Sequence, residues 1–117
     1  MRLSEAQQQF TICIGKLIAH ATKAGYGLTF GDAYRDPRVF GMVGERKSYS
    51  HPTSTHKRRL AVDWNLFKDG RYMDRADDYR ELGEWWEALG EREGLPLCWG
   101  GRFRDAGHFS MEWDGTK

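Results

Sequence analysis

A chain of 117 residues is long enough to bury one core and is read as a single domain. Eighteen lysines and arginines stand against 17 acids, and a net charge of +1 excludes the strong field on which nucleic-acid or anionic-membrane binding depends. Mean hydropathy is −0.75 and no apolar run approaches the roughly 20 residues of a membrane span, so no stable membrane insertion is expected.

In chain order, Ser4 and Gln7 form a capping-box pattern. Phe10, Cys13, Ile14, Leu17, Ile18 and Ala21 then recur at three- and four-residue steps, predicting an amphipathic helix over 4–24 that Gly25 ends with a left-handed cap. Tyr26 to Tyr34 reads as a strand leading into Arg35. Asp36-Pro37 is an N-cap with proline at the first helical position, and the short helix it starts is stopped by Gly41. Residues 45–55 have no period and many turn formers, which in a small domain marks a functional or mobile loop. Leu60 to Phe67 is the clearest strand. Leu60, Val62, Trp64 and Leu66 share one face; Ala61, Asp63 and Asn65 share the other. Lys68 to Arg71 is a turn, and Tyr79, Leu82, Trp85, Trp86 and Leu89 give a second helix from Asp78, closed by Gly90 or Gly94. Leu95 to Trp99 and Gly107 to Trp113 read as strands, the latter with Phe109, Met111 and Trp113 on one side and His108, Ser110 and Glu112 on the other. The expected fold class is α+β, with two main helices packed on a small, mostly antiparallel sheet. Cys13 and Cys98 show no CxxC spacing and are expected to be reduced thiols. No segment has the pattern of a signal peptide, so the chain is expected to be made in the cytoplasm.

Chemistry concentrates at two places. Ser54 to Asp63 sets a histidine and an aspartate seven positions apart, and Asp105-Ala106-Gly107-His108-Phe109 adds a second histidine and a spare carboxylate. Asp63 and His108 each lie on the polar face of an otherwise apolar strand. If the strands pair, with His56 just before the first, three ligands converge on one sheet face. Three protein ligands with an open fourth position make a catalytic zinc site, so one Zn²⁺ held by His56, Asp63 and His108 is expected. A metallohydrolase also needs a carboxylate beside the attacking water, and Asp105 is three residues from His108. Its rival Glu112 stands four strand residues from His108, about 13 Å away. His51, ahead of Pro52, is a further substrate contact or a decoy ligand. Trp99 is a candidate cleft wall, because Gly100-Gly101 lets a peptide backbone approach closely. His20 and the Lys57-Arg58-Arg59 triplet read as solvated, the triplet alternatively as meeting acidic groups of a substrate.

The pattern S-x-H-x6-D at Ser54, His56 and Asp63, followed by D-x-x-H-F at Asp105 to Phe109, resembles the D-Ala-D-Ala metallopeptidases, a family that includes the L-alanyl-D-glutamate peptidases of bacteriophage endolysins. The resemblance spans roughly Tyr34 to Glu112. It implies a hedgehog/D-Ala-D-Ala-peptidase-like fold with zinc on the open sheet face, ligated by His56, Asp63 and His108. It also implies Asp105 as general base and Arg35 as the arginine that stabilises the transition-state oxyanion. The chain departs from the family pattern at Arg59 and Ser110, neither of them a ligand position. The implied activity is zinc-dependent hydrolysis of peptidoglycan stem peptides by a monomer. The expected bond is L-alanyl-D-glutamate, with D-Ala-D-Ala carboxypeptidase activity or a non-catalytic zinc-bearing wall-binding module as alternatives. Ser54, His51 and Trp99 are the expected substrate contacts. No separate wall-binding domain is expected, and the enzyme would reach the wall from the host cytoplasm through a holin-type pore.

Overall fold

The computed structural model describes all residues, Met1–Lys117. Helix α1 (Leu3–Lys23) leads into strand β1 (Tyr26–Phe30) and the short helix α2 (Pro37–Phe40). A 3-10 turn at Thr55–Arg58 precedes β2 (Ala61–Lys68), β3 (Arg71–Met73) and helix α3 (Ala76–Glu93). Strand β4 (Leu97–Trp99), a second 3-10 turn (Gly100–Phe103) and β5 (His108–Met111) complete the order. The strands run β1-β2-β5-β4, with β3 also on β2, and every pairing is antiparallel. The expected α+β class is borne out. No helix is long and apolar enough to cross a membrane.

The two long helices cover one face of the sheet. Their apolar stripes (Phe10, Cys13, Leu17; Leu82, Trp86, Leu89) meet Val62, Trp64, Leu66, Phe109 and Met111 in one core. Burial of this area is the main favourable term in the fold. Two polar groups inside the core are partnered across elements: the Trp86 indole N–H donates to the carbonyls of Cys98 and Ser110, and the Tyr79 hydroxyl donates to the Trp64 carbonyl. Helix α3 is thereby tied to β4, β5 and β2.

Several local expectations change. The Ser4–Gln7 box does not form, because the helix starts at Leu3 and Ser4 lies inside its first turn; Gln7 instead donates to the Arg58 carbonyl at 2.8 Å. Helix α3 begins two residues before Asp78, whose carboxylate accepts from the Arg75 N–H. Asp69 and Gly70 both take positive φ (53° and 76°), the geometry of a two-residue hairpin turn, and β3 follows as a strand that the turn formers had concealed. Strand β1 ends at Phe30 rather than Tyr34. The chain then leaves the regular ladder but stays bonded to β2 through Gly31 N–H to Asp63 O and Asp63 N–H to Asp32 O.

Five side chains are corrected outright. Trp99 is not a cleft wall: its indole is 1% exposed, packs in the core with Gly83 and Gly101 against it, and donates to the Ala106 carbonyl at 2.8 Å. Lys57 is not solvated: it is 8% exposed, and its ammonium donates to the carbonyls of Met42 and Glu45. Arg59 lies over the Tyr34 ring and Arg58 faces Asp114, so the basic triplet is dispersed over three separate partners and forms no patch. His20 stacks face to face on Trp85, with centroids 4.3 Å apart, rather than extending into water. Cys13 and Cys98 are free thiols as expected, Cys13 buried and Cys98 half-buried.

Candidate metal centre

On the sheet face away from the helices, β2 and β5 pair so that Asp63 stands directly opposite His108. Period-two alternation places both on this face because Val62, Trp64 and Phe109 have gone to the core. His56 arrives from the 3-10 turn immediately before β2. Ser54 caps that turn, its hydroxyl accepting from the His56 N–H at 3.2 Å, and Arg59 ends it with a left-handed φ of 57°. The His56 Nδ1 lies 2.7 Å from the Ala33 carbonyl, which can only accept, so Nδ1 carries a proton and Nε2 is the nitrogen turned toward the site.

His56 Nε2 and His108 Nδ1 lie 3.3 Å and 3.4 Å from the same oxygen, Asp63 Oδ1. All three atoms are buried, none has a directed hydrogen bond, and all lie within 4.8 Å of one another. Buried polar atoms without partners are costly. Two ligands each about 2.1 Å from one tetrahedral ion stand roughly 3.4 Å apart, close to the separations found. The donor set therefore fits a metal ion: one cation would satisfy three orphaned atoms at once. Burial works against the charged form of Asp63, but the facing His108 and His56 nitrogens outweigh it and hold the carboxyl well below the usual carboxylate range.

Asp105 and Arg35 flank this group. Gly100 and Gly107 close the connection from β4 to β5 tightly: a Cβ at Gly100 would overlap the Asp105 carbonyl and the His108 Cβ, and one at Gly107 would press on the Trp64 carbonyl. The result sets Asp105 Oδ2 3.9 Å from His108 Nδ1, with 56% of the side chain exposed. Desolvation of its inner side pushes the Asp105 carboxyl up, and the neighbouring Asp63 charge adds to that rise. Glu112 is absent from the cleft wall, as the strand spacing had indicated.

Arg35 is brought in by the 31–35 segment, whose last residue bonds through its N–H to the His56 carbonyl. Its side chain is 12% exposed and donates to the Ser54 hydroxyl at 3.1 Å and the Ser50 hydroxyl at 3.4 Å, with Asp32 at 3.5 Å and Asp63 at 4.0 Å. Tyr49 lies under the guanidinium and donates its hydroxyl to Asp32. The irregular 45–55 stretch thus supplies Tyr49, Ser50 and Ser54 to hold Arg35. These roles had no periodic signal in the sequence.

The cleft encloses about 420 Å³. Arg35, His51, Ser54, His56, Asp105 and His108 line it, so every sequence candidate except Asp63 and Trp99 meets there. His51 is no ligand: its Nδ1 accepts from the Thr53 N–H, and the residue contributes only to the wall. Phe103 and the segment Gly115–Lys117 complete the lining, and sequence reasoning had passed over both. Compared with known proteins, the chain matches no family model and no curated protein.

Proposed function

We propose that the protein is a zinc-dependent peptidase acting on peptidoglycan stem peptides, with the L-alanyl-D-glutamate bond as the preferred target. One observation carries the reading: three orphaned ligand atoms of His56, Asp63 and His108 converge beside an unligated carboxylate and a buried guanidinium. A structural metal site has no use for the last two. The spacing of Ser54, His56, Asp63, Asp105, His108 and Phe109 supports the same reading through its resemblance to the D-Ala-D-Ala metallopeptidases and their fold.

A zinc ion held there would supply Lewis acidity to the scissile carbonyl and bring the ionisation of water to about pH 7. Asp105 takes the proton of the attacking water and returns it to the leaving amine, a task suited to a carboxyl whose proton affinity is raised. Arg35 donates to the carbonyl oxygen as that atom gains charge, pre-positioned by Ser50, Ser54 and Asp32 so that little reorganisation is needed. His56 and His108 hold their places through the Ala33 carbonyl and the β2–β5 register.

Digestion of purified peptidoglycan with and without a chelator, followed by mass spectrometry of the fragments, tests the reading. A new N-terminal D-glutamate is expected, abolished by the chelator and restored by zinc. Released D-alanine would move the assignment to a carboxypeptidase, and intact peptidoglycan that nonetheless retains the protein would make it a binding module. Asp105→Asn is expected to bind zinc in full while losing about 10²- to 10⁴-fold in turnover. His108→Ala is expected to lose both, measured by metal content and product release.

A further inference from the structure

The catalytic roles leave the segment Trp113–Lys117 unused, although it forms part of the cleft wall. Asp114 and Gly115 both take positive φ (49° and 77°), and Trp113 and Thr116 exchange two backbone hydrogen bonds of 2.9 Å, so the chain turns back on itself there. The hook is anchored at three points. Thr116 donates its hydroxyl to Thr53 at 3.2 Å, Thr55 donates to the Lys117 carbonyl at 3.4 Å, and Asp114 faces Arg58 at 3.7 Å. Thr53 and Thr55 flank Ser54, the residue that caps the His56 turn and holds Arg35.

The charges of the cleft are unevenly committed. Arg35 is engaged by Asp32, Asp63 and two serine hydroxyls. Asp63 and Asp105 face His56 and His108. Lys117 lines the same cleft and pairs with none of these carboxylates. The Lys117 backbone is anchored in this polar wall while its side chain is exposed, so its ammonium is free to meet an anion from outside.

We propose that the 113–117 hook is a substrate subsite in which Lys117 receives a free carboxylate of the bound peptide. This rests on the peptidase reading for the identity of the peptide. Two carboxylates of a stem peptide have the right chemistry, the α-carboxyl of a γ-linked glutamate and the carboxyl that ends the peptide. In either case the hook selects acidic over amidated stems.

The test uses the zinc-loaded Asp105→Asn protein, which separates binding from cleavage, and three synthetic stem peptides: unmodified, amidated at the glutamate α-carboxyl, and amidated at the terminal carboxyl. Equilibrium binding is expected to weaken about tenfold for one of the two amidated peptides, which identifies the carboxylate, and this preference should shrink as salt is raised. Lys117→Ala is expected to bind all three alike, Lys117→Glu to favour the amidated form, and Lys117→Arg to restore the original preference. The subsite is overturned if neither amidation weakens binding, if no peptide binds, or if the preference survives in Lys117→Ala. Turnover by the Asp105-intact protein reports separately on the peptidase reading. Lys117-dependent binding without any cleavage would sink that reading and leave the subsite, whereas equal cleavage of all three peptides would do the reverse.

Discussion

Trp99 shows how one side chain can satisfy two opposite readings until its neighbours are known. A tryptophan followed by two glycines suits a cleft wall, yet here Gly83 and Gly101 lack side chains because the indole occupies that space; a Cβ on either would overlap the ring. Gly83 lies on another element, 16 positions before Trp99, and no local pattern signals that the two residues meet. Trp99→Ala is therefore expected to cost about 3–5 kcal/mol of folding stability, and Trp99→Phe about 1–2 kcal/mol through the lost N–H to the Ala106 carbonyl and reduced packing. Urea unfolding measures both, and under the proposed peptidase reading KM of the folded Trp99→Phe protein should stay at the wild-type value. A raised KM with unaltered stability would return Trp99 to the cleft. His56, Asp63 and His108 were legible for the contrary reason. Their types are metal ligands, and strand alternation alone decides that Asp63 and His108 share a face once the apolar residues have taken the core.

Elements with a strong period were readable and their connections were not. Helices α1 and α3 and strand β2 declare themselves by apolar spacing, whereas β3 is only three residues long and the 31–35 and 49–54 segments owe their course to hydrogen bonds with partners distant in sequence. Lys57 belongs to this second group. It pins the loop at 41–47 through the carbonyls of Met42 and Glu45, so Lys57→Met is expected to release that loop while leaving α1 and α3 protected. Hydrogen exchange should show faster exchange confined to residues near 41–47; unchanged exchange there would refute the clamp. Tyr26 joins β1 to α3 by donating its hydroxyl to Glu81 at 2.5 Å, and this bond pushes the phenol up to about 12 from an ordinary value near 10. The raised value favours the protonated phenol in the folded state, so its contribution to stability is complete below pH ~10 and is lost as pH climbs toward about 12. Tyr26→Phe should remove that contribution at neutral pH and flatten the alkaline decline between pH 10 and pH 12. Urea midpoints of the two proteins across that range should converge at the alkaline end, and a constant gap would refute the linkage.

At the scale of the molecule, the three ligand atoms come from the turn before β2, from β2 itself and from β5, which the fold gathers from opposite ends of the second half of the chain. An unfolded chain holds no such arrangement, so the zinc ion proposed for this site would bind the native state alone and add its binding energy to folding. The metal-free protein keeps its helical core, because α1, α3 and the inner face of the sheet are packed without reference to the site. It is therefore expected to remain folded when stripped, with a lower midpoint. At a free zinc concentration about 1,000 times Kd the stabilisation is about 4 kcal/mol, a thermal shift on the order of 15 °C for a domain of this size. Asp105→Asn should show the full shift, since Asp105 stands beside the ligands without being one; His108→Ala should show little, having lost one of three. Because the ligating nitrogens must be unprotonated, the shift should also diminish as pH falls. Paired thermal melts of the three proteins, stripped and zinc-loaded, decide the matter. An equal zinc shift in His108→Ala would place the ion elsewhere, and a shift lost in Asp105→Asn would make that carboxylate a ligand and remove it as the base.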